Sequence, residues 1–377
     1  SLFDFEQKRN GSKTRKPASQ LDFRHFLRGK ISQKRGVKYR VRTKEKSAQT
    51  GKSETLIKDR DCSPLSYEDN TEQEISQRFT PKKKQSEQLR DVYFELGLTQ
   101  RAVRVDGCGS FLEWHIQADV QKLAHANFCK DRLCAMCSWR RSLKIFGQVS
   151  QVMTVLQGQG YEFLFLTLTV KNCSGSELGA TLAKMQKAWE RLQHRSRLRG
   201  VIAGTFRAIE ITRNAKTGQY HPHYHVILAV NPDYFHKSYI KQAEWGEIWR
   251  TCCGLDYDPI IDIRNIKSGS KGVSGAVAEV AKYAVKGSDY LRGTWSERAS
   301  AVNDLLAGLT QRKLVSWTGC FLDAVKLLRL DDVENGDLVH VDGTELRPDV
   351  AYMIVRWQWV AGCYQRVNVE RVSPSDG

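Results

Sequence analysis

The 377-residue sequence lacks any apolar run approaching the roughly 18 residues that a membrane-spanning helix requires. Its longest strand-like apolar run is Phe163 to Val170, and the opening residues Ser1 to Asp4 are followed at once by charge rather than by a secretory signal core. The phosphate-binding loop Gly-x4-Gly-Lys-Ser/Thr is also absent, so we expect no helicase activity of its own. These absences predict a soluble cytoplasmic protein without membrane contacts.

Positive charge is concentrated at the beginning of the chain. The net charge is +17, and residues 1–60 contain 18 Lys and Arg against 6 Asp and Glu, so +12 of the excess lies in this segment. Residues 1–90 are polar and contain few aliphatic side chains, which predicts a mostly disordered basic arm. Such an arm is typical of a nucleic-acid-binding protein, although a solubilising tail would carry the same charge.

Hydrophobic periodicity predicts an α+β fold beyond this arm. We divide the rest into a Cys-rich segment with a helix (91–157), a core (158–294) and a C-terminal helical and β subdomain (295–377). The core has the order β-α-β-β-α-β-α with a central hairpin, which predicts an antiparallel sheet covered by helices on one face. The predicted strands are 103–115, 161–170, 201–213, 220–230, 260–266, 339–341 and 351–359, and the predicted helices are 138–156, 177–195, 238–253, 273–285 and 295–330.

Cysteine spacing indicates a structural metal site. Ten cysteines without a secretory signal point to a reducing compartment, where close pairs bind metal more often than they form disulfides. Cys129, Cys134 and Cys137 supply three thiolates, the last two with the spacing of a zinc site. A fourth ligand is needed, and Cys108 is the first choice with His125 second. We predict structural Zn²⁺ here, the alternative being buried free cysteines.

The segment Tyr220–Val230 combines a strand pattern with two histidines. His223 and His225 are two residues apart, so on a strand both imidazoles point to one face while Tyr224 points to the other. Two neutral imidazoles at this spacing form half of a divalent-metal site. An isolated pair of this kind is more often two surface histidines, so the neighbouring residues decide the interpretation.

The strand before the histidines carries a carboxylate in a suitable place. If the hairpin is centred between Lys216 and Thr217, Glu210 lies opposite His223, about 5 Å away on the same face. Glu210, His223 and His225 then form a cluster with open positions, suited to Mg²⁺ or Mn²⁺ carrying a phosphate oxygen. A slip of one residue would leave Glu210 facing solvent, and His221 could substitute as a ligand.

A helix over 276–286 brings together a second group of reactive side chains. Spacings of four and three put Glu279, Tyr283 and Lys286 on one helix face. A tyrosine beside a lysine and a carboxylate suits attack on phosphorus, because positive charge favours the phenolate and the carboxylate takes a proton. Tyr290 is the rival nucleophile. The alternative is a helix with a solvent-exposed Glu–Lys surface.

These motifs resemble those of the rolling-circle replication initiators (Rep proteins) of small bacterial plasmids, which belong to the HUH endonuclease superfamily. The resemblance rests on Tyr-His-Pro-His-Tyr-His-Val-Ile-Leu from Tyr220, on Glu279 to Tyr283, and on Phe163 to Thr169 as the first motif. It covers about residues 103–290. The cysteine stretch that ends in Trp139-Arg140-Arg141 also resembles similar initiators, and its basic pair is predicted to follow DNA phosphates.

The resemblance implies an HUH-like fold and a metal-dependent, site-specific nicking reaction. Tyr283 would attack at the plasmid double-strand origin and leave a 5′-phosphotyrosine with a free 3′-OH for host polymerase, with a host helicase as a further partner. Glu279 would activate the water that ends the round. Two alternatives remain open: a relaxase or single-tyrosine transposase, and a non-catalytic, zinc-containing DNA-binding regulator.

Overall fold

The computed structural model describes residues 70–373 except 119, 268–269, 283, 342 and 348. The prediction of a disordered arm over residues 1–69 and the position of Tyr283 therefore lie outside the described residues. The helices are α1 (Asn70–Glu74), a π-helix (Ile75–Phe79), α2 (Thr80–Glu95), α3 (Thr99–Asp106), α4 (Ala135–Gly158), α5 (Gly175–Gln193), a 3₁₀ turn (Ser196–Leu198), α6 (Tyr234–Lys237), α7 (Gln242–Cys253), α8 (Ser270–Val280), α9 (Gly287–Tyr290), α10 (Trp295–Leu309) and α11 (Cys320–Leu327). The strands are β1 (Phe111–Gln117), β2 (Val120–Ala126), β3 (Glu162–Thr169), β4 (Ile202–Arg213), β5 (Tyr220–Val230), β6 (Ile261–Asn265), β7 (Val315–Gly319), β8 (Tyr352–Val360) and β9 (Cys363–Val372).

A five-stranded antiparallel sheet forms the centre of the fold, in the order β6-β3-β5-β4-β7. The prediction of an α+β fold with a central antiparallel sheet is confirmed. The prediction that residues 295–330 are helical throughout is wrong, because β7 interrupts them and pairs along β4. This pairing satisfies backbone groups on β4 that would otherwise form an open sheet edge.

Helices cover both faces of this sheet, so the prediction of helices on one face is wrong. Trp189 of α5 and Trp249 of α7 contact the ring of Tyr224 with centroids 6.2 Å apart in each case. On the opposite face, Phe321 of α11 lies 6.2 Å from Phe163 of β3. Strands β3, β4 and β5 are buried on both faces along most of their length, which requires cover on both sides.

The C-terminal strands belong to a second sheet, with the order β2-β1-β8-β9. Leu112 of β1 pairs with Trp357 of β8, and Trp114 pairs with Val355, so four buried apolar side chains share one face. The C-terminal strands β8 and β9 are therefore part of one sheet with the strands of the Cys-rich segment and do not form an appended subdomain. Residues 339–341, predicted as a strand, lie in an irregular segment.

The N-terminal boundary also differs from the prediction, because helices over residues 70–95 replace the last part of the proposed arm. Phe79 packs edge-on against Trp114 and Trp139, with ring centroids 5.8 and 4.9 Å away. Residues 99–106, predicted in part as strand, form α3. Burial of apolar side chains such as Leu89 between charged ones stabilises these helices despite their polar composition.

Candidate metal centres and active site

The β4–β5 hairpin positions the histidine pair beside a carboxylate. The side chain of Asn214 accepts from the backbone N–H groups of Lys216 and Thr217 at 2.9 and 3.2 Å, which fixes the turn. The resulting register pairs Glu210 with His223, as the hairpin predicts. Turn chemistry and strand periodicity together therefore bring the three side chains to one face.

The donor atoms of Glu210, His223 and His225 all lie within 4.8 Å of one another. Glu210 Oε2 is 2.9 Å from His225 Nε2 and 3.3 Å from His223 Nε2. The two imidazole rings are perpendicular, with centroids 4.8 Å apart. All three side chains are buried, so they form a compact two-imidazole, one-carboxylate cluster.

Hydrogen bonds at the outer ring nitrogens turn the Nε2 atoms of both histidines toward the cluster. His223 Nδ1 lies 3.2 Å from the carbonyl oxygen of His221, which can only accept, so Nδ1 donates to it. Its Nε2 donates to Glu210 when the ring is protonated and is a metal ligand when the ring is neutral. His225 Nδ1 lies 3.4 Å from Thr167 Oγ1. Outer hydrogen bonds of this kind orient metal-binding histidines. The cluster therefore fits a divalent cation, and its donor set does not select among Mg²⁺, Mn²⁺ and Zn²⁺.

Glu210 is held in its charged form. Burial opposes ionisation, but hydrogen bonds from His223, His225 and Lys286 outweigh it and hold the pKa of this carboxyl far below its usual range. Lys286 Nζ donates to Glu210 Oε1 at 3.0 Å, with its side chain 48% exposed. A lysine thus reaches the cluster from the solvent side.

Glu279 also approaches the cluster, but not by the predicted helical spacing. Its Oε1 lies 3.7 Å from His225 Nε2 and forms an ion pair with Lys282. Helix α8 ends at Val280, so the prediction that Glu279, Tyr283 and Lys286 share one helix face is wrong. The chain leaves the helix because Ala284 bonds to the sheet instead, its carbonyl accepting from Ile211 N–H at 2.7 Å.

Residue 283 is therefore flanked by anchored segments on both sides. Before it, Glu279 contacts His225, and after it, Ala284 bonds to Ile211 and Lys286 bonds to Glu210. Ile211 follows Glu210 directly in β4. The two chain segments that adjoin Tyr283 are thus tied to the immediate surroundings of the Glu–His cluster.

Tyr290, the rival nucleophile, lies in a different environment. Its side chain is buried and its hydroxyl donates to the backbone carbonyl of Leu133. Burial raises the pKa of Tyr290 well above its usual value. A buried, hydrogen-bonded phenol is poorly placed for attack on a phosphodiester.

Four cysteines form the second cluster. Cys108 Sγ lies 3.5 Å from both Cys134 Sγ and Cys137 Sγ, and Cys129 Sγ lies 3.7 Å from Cys137 Sγ. His125, the alternative fourth ligand, is 70% exposed and faces Glu113 instead. The structure therefore brings Cys108, not His125, together with the other three cysteines.

The surroundings of the cluster favour a thiolate at Cys134, whereas hydrogen bonds among the cysteines and burial raise the pKa of Cys108 and Cys137. Backbone N–H groups of Lys130 and Asp131 point at Cys137 Sγ and Cys129 Sγ from 3.2 and 3.4 Å. Although burial opposes it, hydrogen bonds with the three other cysteines and Ser86 lower the pKa of Cys134 well below its usual value. Four clustered sulfurs with N–H donors fit a closed tetrahedral zinc site.

The basic pair behind this cluster does not face solvent, so the prediction that it follows DNA phosphates is wrong. Arg140 Nε donates to the carbonyl of Leu338 at 2.8 Å. Arg141 donates to the carbonyls of Asp131 and Glu334 at 3.1 Å. Both guanidinium groups are buried, where they tie the segment before β8 to the Cys-rich segment.

Two residues that contact the clusters or their neighbours, Ser86 and Lys282, were not predicted from the sequence. Ser86 Oγ lies 3.3 Å from Cys134 Sγ, but it falls in a segment whose polar composition predicts disorder, and a single serine gives no signal. Lys282 pairs with Glu279 three residues earlier, a spacing that the sequence does display.

Fold and clusters together define an α+β protein with two candidate metal centres. The Glu–His cluster is buried but is bordered by the partly exposed Glu279 and Lys286, and we call it the accessible centre. The cysteine cluster, in which only Cys129 is partly exposed, is called the enclosed centre.

A family model described as "Replication protein" matches residues 120–365, which is more than half of the chain. Among curated proteins, "Protein rep" of Streptococcus pneumoniae serotype 2 (strain D39 / NCTC 7466) is 39% identical over 259 residues, covering 67% of this chain and 80% of that protein. "Protein rep" of a Bacillus sp is 36% identical over 261 residues (64% and 85%), and that of Lactiplantibacillus plantarum is 35% identical over 273 residues (69% and 86%).

The chain belongs to the replication protein (Rep) family, and the resemblance to plasmid replication initiators found in its motifs is confirmed at this level. No solved structure matches it. Within the described ranges, every helix is too short or too polar to cross a membrane.

Proposed function

We propose that this protein is a rolling-circle initiator of the HUH type, which nicks origin DNA through Tyr283. The observation that carries the proposal is the Glu210–His223–His225 cluster with both segments adjoining Tyr283 tied beside it. Rep-family membership supports origin DNA as the substrate. A similar fold alone would not establish the reaction, because one fold can support unrelated chemistries.

Glu210, His223 and His225 hold Mg²⁺ or Mn²⁺ in this proposal. Such an ion, when bound, stabilises charge on the oxygens of a phosphodiester. The protein side chains prepare the site: hydrogen bonds at His223 Nδ1 and His225 Nδ1 fix the ring orientations. Lys286 adds positive charge at the solvent side, where a phosphate would approach.

Tyr283 Oη forms a bond to the scissile phosphorus, and the bond from phosphorus to O3′ breaks. The products are a 5′-phosphotyrosyl linkage and a free 3′-OH, which a host polymerase extends while a host helicase separates the strands. Glu279, with its side chain 40% exposed beside His225, takes the proton from the Tyr283 hydroxyl and passes it to O3′. Its carboxylate is then free to activate the water that later hydrolyses the linkage.

The four cysteines hold Zn²⁺ in a structural role. Three of them are buried, and the cluster offers no open position for a substrate. Tyr290 connects this site to the nuclease segment through its bond to Leu133. The zinc site then stabilises the segment that follows Lys286.

The proposal is tested by covalent capture of DNA. Wild type, Tyr283→Phe and Tyr290→Phe are incubated with Mn²⁺ and a labelled single-stranded origin oligonucleotide, and the adduct is resolved by denaturing electrophoresis. We expect wild type and Tyr290→Phe to form the adduct and Tyr283→Phe to form none.

Loss of the adduct only in Tyr290→Phe would move the nucleophile and contradict the assignment. Tight origin binding without an adduct in any variant would favour the non-catalytic regulator. A requirement for hairpin or transfer-origin DNA would favour a transposase or relaxase.

A further inference from the structure

A cleft with a basic lining lies beside the cysteine cluster. Helix α3, residues 130–133, the end of α10 and the turn that follows it form its walls, and its volume is about 280 Å³. This volume falls just below the roughly 300–1,000 Å³ of typical small-molecule pockets. The cleft is therefore better suited to one charged group of a larger molecule than to a whole small ligand.

Four cations line the cleft, and two of them are already paired. Arg101 Nη1 lies 2.8 Å from Asp131 Oδ2, and Arg132 Nη2 lies 2.7 Å from Glu334 Oε2. Asp131 is buried and also accepts from the hydroxyl of Tyr93 at 3.0 Å. These two ion pairs stabilise the walls of the cleft and add no net charge to it.

The other two cations bond only to neutral groups. Arg104 Nη2 donates to the carbonyl of Cys129 at 2.9 Å, and Lys130 Nζ donates to the carbonyl of Asn335 at 2.8 Å. Both residues are exposed, and within the described part of the chain no carboxylate forms an ion pair with either. Each carbonyl occupies only one N–H of its donor group, so further N–H groups remain for an external anion. The cleft therefore carries two uncompensated positive charges.

The cysteine cluster fixes the backbone that carries these charges. Lys130 has a left-handed φ of 58°, which is uncommon for a residue other than glycine. Its N–H donates to Cys137 Sγ at 3.2 Å, and its carbonyl accepts from the Arg141 guanidinium. The carbonyl that Arg104 binds belongs to Cys129, another member of the cluster. The two cations are thus held on a rigid support, which lowers the entropic cost of binding an anion.

A short path joins the cleft to the Glu–His cluster. Leu133 lines the cleft, and its carbonyl accepts from the hydroxyl of Tyr290. Tyr290 follows Lys286, which bonds to Glu210, by four residues, and four residues span at most about 14 Å. One turn of duplex DNA is about 34 Å long. A duplex held at the Glu–His cluster is therefore long enough to contact the cleft as well.

We propose that this cleft binds backbone phosphates of the DNA duplex that flanks the nicking site, through Arg104 and Lys130. Contacts of Arg and Lys with phosphates position a protein on DNA without reading its sequence. Membership in the replication protein family favours DNA over an acidic protein segment as the occupant. The proposal rests on the proposed function only in taking DNA to be held at the Glu–His cluster. The contact predicted for Arg140 and Arg141 is thereby assigned to other cations.

Binding of a labelled mixed-sequence duplex is measured by fluorescence anisotropy at several salt concentrations, without added Mg²⁺ or Mn²⁺. For the double variant Arg104→Gln with Lys130→Gln, we expect the affinity near physiological salt to fall about 10- to 30-fold. The slope of log affinity against log salt should decrease by about 1.8, because two phosphate contacts are lost. The matched control, Lys187→Gln with Lys237→Gln, removes the same charge from exposed lysines outside the cleft and should bind as wild type does.

A conservative double variant separates charge from structure. Arg104→Lys with Lys130→Arg keeps both positive charges and should retain most of the affinity and the salt slope of wild type. Equal duplex affinity and equal salt slope in wild type and the Gln double variant would overturn the proposal.

Two other occupants have their own signatures, and either one would also overturn the proposal. A changed solution mass of the Gln double variant, with unchanged duplex binding, would identify the cleft as a protein interface. Thermal stabilisation by inorganic pyrophosphate in wild type alone, again with unchanged duplex binding, would assign the cleft to a free phosphate compound.

The binding assay and the adduct assay fail separately. Adduct formation at Tyr283 with normal duplex binding by the Gln double variant would leave the nicking proposal standing and remove the phosphate-binding cleft. Weakened duplex binding by that variant, without any adduct in wild type, would support the cleft on a protein that does not nick.

Discussion

The two candidate metal centres differ in both donor chemistry and enclosure. The Glu210–His223–His225 cluster offers two imidazoles and a carboxylate, and the partly exposed Glu279 and Lys286 border it. The cysteine cluster offers four sulfurs surrounded by backbone N–H donors and buried side chains. One chain thus separates an accessible centre suited to phosphate chemistry from an enclosed centre suited to holding the fold together.

Removing one histidine should have the largest effect on activity. We expect His225→Ala to lower the nicking rate by about 100-fold or more, because it removes charge stabilisation worth several kcal/mol. Because His225 is buried and bonded to Glu210, this change should also lower the melting temperature, so the rates are compared at a temperature where both proteins are folded. Nicking is measured on supercoiled origin plasmid, and near-wild-type activity in His225→Ala would contradict a metal role for the histidine pair.

Removing one cysteine should affect stability instead. We expect Cys134→Ser to lose bound zinc and several kcal/mol of unfolding free energy, since metal binding contributes directly to folding. Cys363→Ser, outside the cluster, is the control. Zinc content is measured by elemental analysis, and the free energy of unfolding is measured in urea. A wild type without zinc, or a Cys134→Ser variant as stable as Cys363→Ser, would contradict a structural metal.

A smaller effect should follow acid titration of the accessible centre in EDTA. Because folding lowers the pKa of Glu210, its charged form stabilises the protein above its unfolded value of 4.5, and this contribution is lost as the pH falls below that value. Wild type should therefore exceed Glu210→Gln in melting temperature at neutral pH, and the gap should narrow below pH 4.5. Glu247→Gln, which removes a charge on the exposed surface, should show no such convergence. A gap that stays constant with pH would refute the pKa shift.

The smallest effect is expected from removing the hydrogen bond between Tyr290 and Leu133, which links the nuclease segment to the cysteine cluster. Tyr290→Phe leaves the Leu133 carbonyl without its donor, so we expect a loss of about 1–3 kcal/mol in unfolding free energy. Adduct formation should continue. The measurement is urea unfolding in parallel with the adduct assay, and an unchanged stability would show that water replaces the phenol.

The accessible centre could be predicted largely from sequence because its geometry is local. A hairpin whose short connection, residues 214–219, begins with Asn214 fixes the register, and alternation along a strand then sets which side chains share a face. The spacing of Cys134 and Cys137 similarly predicted that cysteines cluster here. The predicted helix face failed because the bond between Ile211 and Ala284, which ends the helical path, joins residues far apart in sequence.

Non-local pairing accounts for the other errors. Nothing in residues 352–372 indicates that they complete a sheet with residues 111–126, since strand partners carry no mutual signal in a single sequence. The burial of Lys83 could not be predicted either, because it lies in a polar segment for which composition predicts disorder. Its ammonium donates to the carbonyl of Cys108 at 3.0 Å. In residues 352–372 and around Lys83, contacts between residues far apart in sequence therefore determine the structure.

The pairing of β1 with β8 also determines when this sheet can fold during synthesis of the chain. The ion pair between Glu113 and Arg356 joins residues 243 positions apart, so a growing chain must wait for its last strands before this sheet closes. Until then β1 has β2 on one side and an open edge on the other, a state prone to wrong pairing. Premature termination before β8 would leave the cysteine segment without half of its sheet, and a partly synthesised chain would not yet have a complete fold with which to act on DNA.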